Sequence, residues 1–211
     1  MNIDLKFGDQ LTKEQYRNHD LMYAVLNNMK ADDASHHLDF IHVNYRMQLT
    51  LDLSEVGVRN LQYFNGATLS LIAKVARTEN FSATYDNSTP SKHIVSISTP
   101  PTTGFTDLGK ILEIDHTPTS VNEKFVTTFC IPPHLLKADT PLFRLTFSTG
   151  ATIDIAINPT ADKLLASNKW TKYTLKLYRN EIILGAKMSP WSATMTLTGD
   201  SDDPATDVFM Q

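Results

Sequence analysis

Between Ile41 and Leu53 every odd position is apolar: Ile41, Val43, Tyr45, Met47, Leu49, Leu51 and Leu53. The even positions carry His42, Asn44, Arg46, Gln48, Thr50 and Asp52. Successive side chains of a β-strand point to opposite faces, so this stretch predicts a long strand with one buried and one wetter face. Just upstream the apolar positions are even, at Leu38 and Phe40. A strand changes the face it buries only by inserting a residue or bending, which places a bulge or kink near Phe40–Ile41.

The remaining apolar runs are short and punctuated by turn residues. Thr68–Val75 alternates after Asn65-Gly66, and His93–Thr99 is β-branched and stops at Pro100-Pro101. Phe125–Ile131 alternates up to Pro132-Pro133, and Tyr173–Tyr178 alternates again. Leu142–Thr149 and Thr152–Ile157 predict a hairpin with Gly150 at its turn. Lys110–Ile114 and Met195–Leu197 add shorter strands, Glu79–Ser91 a polar loop and Thr160–Ser167 one helical turn. Thr12-Lys-Glu-Gln15 fits a capping box, so a short helix is expected over Thr12–Asn18. Leu21–Leu26 is too short for periodicity to separate strand from helix, and Asn27–His37 has the polar character of a linker. Many short strands and little helix predict an all-β antiparallel β-sandwich.

Composition narrows what such a chain does. At 211 residues it can bury a substantial core. A formal charge of −4 and the lack of any Lys/Arg cluster argue against a nucleic-acid partner. The longest uninterrupted apolar runs are far too short to cross a bilayer. Cys130 is the one cysteine, which excludes an intrachain disulfide and a Cys-based zinc site; within FVTTFCIPP it predicts a buried, inert thiol. Met1 is followed by NIDLKFGD, which has neither a basic nor an apolar leader region, so we expect either a cytosolic protein or a chain without the start of its precursor.

Candidate chemistry is sparse. His36, His37 and His42 lie close in sequence, yet their spacing matches no ligand motif, and exposed or hydrogen-bonded strand histidines are the expectation, with no metal. No carboxylate pair, nucleophile elbow or phosphate loop is present, so neither an enzyme nor a cofactor is expected. Tyr63, Phe64, Tyr85 and Phe105 are the aromatics that would line a sugar-binding surface.

A set of short segments in fixed order adds a family to this picture. Leu38-Asp-Phe40-Ile-His42 followed by Arg46-Met47-Gln-Leu49 resembles the L-x-F-x-H-x-x-x-K/R-hydrophobic run of the fimbrillin-like proteins of Bacteroidia. Asp9-Gln10 and Asp20-Leu-Met-Tyr-Ala24 are similar to segments that precede it in that family. Phe129-Cys-Ile-Pro132, Gly150, Trp170 to Leu177 with Tyr173, and Met188-Ser-Pro-Trp191 are similar to those that follow. Asp20, Phe40, His42, Arg46, Pro132, Gly150, Tyr173 and Trp191 are thus the structural markers. The resemblance implies a secreted lipoprotein subunit of a type V pilus, with a transthyretin/Ig-like, Greek-key sandwich and an outer-membrane lipid anchor that this chain lacks. It further implies residues 1–30 as the remnant of an N-terminal β domain, 31–200 as the C-terminal sandwich and 201–211 as a flexible acidic tail. Expected partners are other pilus subunits, joined by strand exchange through a C-terminal segment around Ala193, Met195 and Leu197. The alternative is a surface lipoprotein binding glycans or host proteins.

Overall fold

The alternating stretch becomes the inner strand of one of two facing sheets. The structure, a computed structural model, describes residues 2–24, 40–85, 93–157, 160–178 and 192–201. In chain order β1 is Asn2–Lys6, α1 Lys13–Arg17, β2 Met22–Tyr23, β3 Ile41–His42 and β4 Tyr45–Glu55. A 3-10 helix at Val58–Phe64 leads into β5 at Thr68–Val75, β6 at Thr78–Tyr85, β7 at His93–Ser98 and β8 at Pro101–Glu113. Then come β9 at Lys124–Ile131, β10 at His134–Leu136, β11 at Pro141–Thr146 and β12 at Thr152–Ala156. Lys163–Leu165 is β13, Trp170–Tyr178 β14 and Ser192–Ser201 β15.

One sheet has the order β15-β14-β4-β9, the other β12-β11-β5-β8. Their inner faces make a single core, in which Tyr45, Met47, Leu49, Leu51 and Leu53 of β4 join Leu69 and Leu71 of β5 and Leu175 and Leu177 of β14. Phe129 of β9 meets Phe143 of β11 edge to face, with ring centroids 5.8 Å apart. The fold is thus the all-β sandwich the alternation predicts. Every described pairing is antiparallel except β4 with β14, which run parallel over Arg46–Glu55 and Trp170–Tyr178. The hairpin at Gly150 is present: its φ of +84° suits a residue without a Cβ, and Phe147 N–H reaches Ala151 O across the turn.

Three local expectations are corrected. The break in the opening strand falls at Val43–Asn44, between β3 and β4, rather than at Phe40–Ile41. Of the loop expected over 79–91, residues 79–85 belong to strand β6, because β1 pairs along Thr78–Ser82 and β7 along Asn80–Tyr85. Residues 163–165 are strand β13 rather than helix, paired with β10 so that Leu165 reaches the core. Near the N-terminus, β1 joins the small sheet β1-β6-β7, and Phe7 enters the common core.

Glu79 of β6 is fully buried. Burial pushes its carboxyl up to about 7, against the opposing hydrogen bonds of Asn44 and Thr99. Glu79 Oε1 and Asn44 Oδ1 are both buried acceptors without a donor among the described residues. The folded carboxyl holds its proton to higher pH than the unfolded one, so stability falls as pH rises from about 4.5 through about 7. Glu79→Gln should match the parent near pH 5 and exceed it by roughly 2–3 kcal/mol near pH 8, measured by urea unfolding at both pH values.

Candidate functional site

The even positions at the start of β4 were expected to be wet, and they are not. His42, Asn44 and Arg46 are as buried as the apolar residues between them, because α1 and its flanking turns lie over the outer face of the sheet. The helix is held there by its own chemistry. Thr12 and Gln15 form the expected capping box, the Thr12 hydroxyl taking the Gln15 amide and Gln15 Oε1 taking the Thr12 amide at 3.0 Å. His19 closes the other end: Gly8 N–H donates to Nε2 at 3.0 Å, which leaves the ring proton on Nδ1 to donate to Gln15 O.

Under this roof the buried polar groups find one another. His42 Nδ1 lies 2.6 Å from Asp20 Oδ1, and the Tyr16 hydroxyl donates to Asp20 Oδ2 at 2.8 Å. Burial alone would raise the Asp20 carboxyl; the hydrogen bonds from His42 and Tyr16 and the charge of Arg46 more than offset it and hold the group below its ordinary value. Asn44 Nδ2 donates to His19 O at 2.8 Å. Asn168, itself at a φ of +58°, and Ser167 bind the His42 backbone from the turn before β14.

A second set of contacts sews the sheet edges together. The Gln10 side chain pairs with Cys130 of β9 in both directions, Nε2 donating to its carbonyl at 3.0 Å and Oε1 accepting its N–H at 2.8 Å. One amide side chain therefore stands in for a strand at that residue. The Gln10 N–H donates to Lys110 O of β8, and Asp9 Oδ1 accepts the Lys110 N–H. The backbone approach is close enough that a Cβ on Gly109 would fall 2.2 Å from the Gly8 carbonyl, and the φ of +118° there already excludes most side chains. Beside α1 a cleft of about 290 Å³ opens on the outer sheet face, with Arg46 and Trp170 in its lining.

The structure thus brings together Asp20, His42 and Arg46, and beneath the same helix the Asp9-Gln10 pair. The other markers lie apart. Phe40 is 57% exposed, Pro132 ends β9, Gly150 turns the β11–β12 hairpin and Tyr173 packs in the core. Ala193, Met195 and Leu197 lie on β15, opposite Leu177, Leu175 and Tyr173. His36, His37 and Trp191 lie outside the described residues, as does the acidic segment 202–211. Among the described residues no three His, Cys, Asp or Glu converge as metal ligands. Of the aromatics considered for sugar binding, Phe64 is fully buried and Phe105 lies under the Lys74 ammonium at 5.4 Å. The bridging of Gln10 to a residue 120 positions away leaves no local signal in the sequence.

The family profile described as fimbrillin-like matches residues 1–191. The chain belongs to the fimbrillin-like family. Among solved structures, this fimbrillin-like chain is similar to a candidate cell adhesion protein from Bacteroides uniformis, with a TM-score of 0.51 and 16% identity. The similarity covers 93% of this chain and 65% of that one. A candidate cell adhesion protein from Bacteroides fragilis gives a TM-score of 0.36 and 12% identity over 77% of this chain and 47% of that one. This chain therefore spans no more than about two thirds of the length of either structure. No curated protein matches the sequence.

The Gly8–Gly109 approach gives a direct test of how the N-terminal segment is held. Gly109→Ala should lower stability by more than about 2 kcal/mol and expose the backbone amides of residues 7–20 to hydrogen exchange before those of β4. Equal protection in variant and parent would show that the segment is held independently of this contact.

Proposed function

We propose that the chain is a structural or adhesive subunit of a bacterial surface fimbria that joins its neighbours by exchanging β-strands. Family membership supports the fimbrial role, and a non-enzymatic one. The observation that carries the exchange is the position of β15: it is the outermost strand of its sheet, and β14 is its one partner among the described strands. A strand held along one side leaves a matching slot when it goes, and an extended segment of another subunit fills such a slot with the same main-chain hydrogen bonds. β15 also carries the residues that the sequence marks for assembly, Ala193, Met195 and Leu197. Attachment to the outer membrane through a lipid anchor and display outside the cell belong to the same proposal.

A reversible lock tests it. Thr174 and Thr196 face each other across β14 and β15, so the Thr174→Cys/Thr196→Cys variant can tie the strand in place. Oxidised protein should fold and stay out of the detergent-resistant polymer ladder at the cell surface, and reduction should restore it. Polymer formation that ignores the redox state would overturn the exchange.

A further inference from the structure

Arg46 is buried without the hydrogen bonds its burial calls for. It is 2% exposed, and its Nε and Nη1 have no acceptor among the described residues. Trp170 Nε1, on the adjacent strand and directly opposite in register, is buried without one too. The neighbouring Asp20 accepts from His42 and the Tyr16 hydroxyl and makes no hydrogen bond to Nε or Nη1 of Arg46. The Tyr16 and Trp170 rings each lie 5.8 Å from the guanidinium carbon, attracting the charge without accepting the in-plane N–H groups. The guanidinium is therefore held in position with its donors unspent.

Both residues line the 290 Å³ cleft, a space several times the roughly 30 Å³ that one water occupies. A site that offers donors and a positive charge fits a carboxylate, the partner with which guanidinium makes its strongest hydrogen bonds. The cleft's neighbourhood indicates what carries that carboxylate. Cys130 directs its backbone N–H and C=O away from β4 toward Gln10, and alternate residues of a strand share that direction, so Thr128 and Val126 do the same. No described strand pairs with them, and both line the cleft. Leu11 and Val126 add exposed apolar surface along this edge. The ring of Trp170, on which a sugar would stack, already carries the Lys172 ammonium at 4.5 Å.

We propose that the Arg46–Trp170 cleft receives the carboxylate of an acidic side chain carried by an extended peptide laid along the open edge of β9. The acidic residue then fixes the register of that peptide, because a slip of one position turns it to the other face. This deepens the strand-exchange reading and rests on it for the class of ligand.

The test uses capped peptides of alternating Thr and Val with one central Asp or Glu, the same peptides with Asn or Gln, and glucuronate beside glucose, each titrated against the whole chain by calorimetry. The acidic peptides should bind at least about tenfold more tightly than their amides. Arg46→Gln should erase that preference, and Trp170→Phe, which keeps a ring and removes the N–H, should reduce it about threefold with the fold retained. Equal binding of acidic and amide peptides would leave strand addition standing and overturn the carboxylate anchor. Glucuronate bound in preference to every peptide would overturn the peptide ligand, and no binding of any probe would overturn both.

Discussion

Burial of both faces at the start of β4 is the constraint on which this fold turns. From Val43 to Met47 every residue is buried, one face by the facing sheet and the other by α1 and its turns. An outward strand face normally leaves its polar groups to water, at little cost. Roofed over, the same groups must find protein partners or forfeit a kcal/mol or more each. His42 and Asn44 find them in Asp20 and in the carbonyl of His19, both in the segment that forms the roof. The polar side of this stretch thus joins Phe7 in the core and the Gln10 bridge to Cys130 in fastening residues 7–24 to the sandwich.

Much of the architecture was legible because period-two alternation survives wherever one face meets the core. β4, β5, β9 and β14 all lie where that pattern puts them. The failures share a physical cause. β6 interleaves Thr78, Phe81, Thr84 and Tyr85 with Glu79, Asn80 and Ser82, a polar mixture that hides the strand until β1 and β7 flank it. β13 is three residues long, too short for either period to register. At the polar cluster, the sequence shows the right residue types at Asp20, His42 and Arg46 but cannot show that α1 covers them. The Gln10 bridge depends on two sheet edges meeting, a property of the assembled fold alone.

Those two edges, β8 and β9, belong to different sheets and close one side of the sandwich without a ladder between them. Gln10 covers β9 at Cys130, and the Thr127 hydroxyl reaches Ile111 O of β8 at 2.6 Å. Along this stretch the backbone at Val126 and Thr128 is served by no described strand on that side. Exposed edges invite pairing with other chains, and proteins that must stay apart blunt them with charge, proline or a bulge. Here the interval carries Val126, 55% exposed, and two threonines, residues that suit a strand with a partner. An edge of that composition fits a protein whose task is to associate.

The two buried carboxyl groups of the cluster region pull stability in opposite directions with pH. Asp20 is held below its ordinary value, so what it contributes is complete above about pH 4, the ordinary Asp range, and is lost as pH falls through its lower folded value. Glu79 is raised to about 7, so its cost begins above about pH 4.5 and is complete beyond its folded value. Neither penalty applies fully between these limits, which sets the contribution of this pair at its best in mildly acidic solution. The division has a structural origin. Asp20 is held below its ordinary value because a histidine and a tyrosine donate to it in the field of an arginine, whereas Glu79 faces an amide and a hydroxyl. Charge and hydrogen bonding are separate conditions of burial: Asp20 meets both, Glu79 meets the first by keeping its proton, and Arg46 has a counter-charge nearby while its Nε and Nη1 have no acceptor among the described residues.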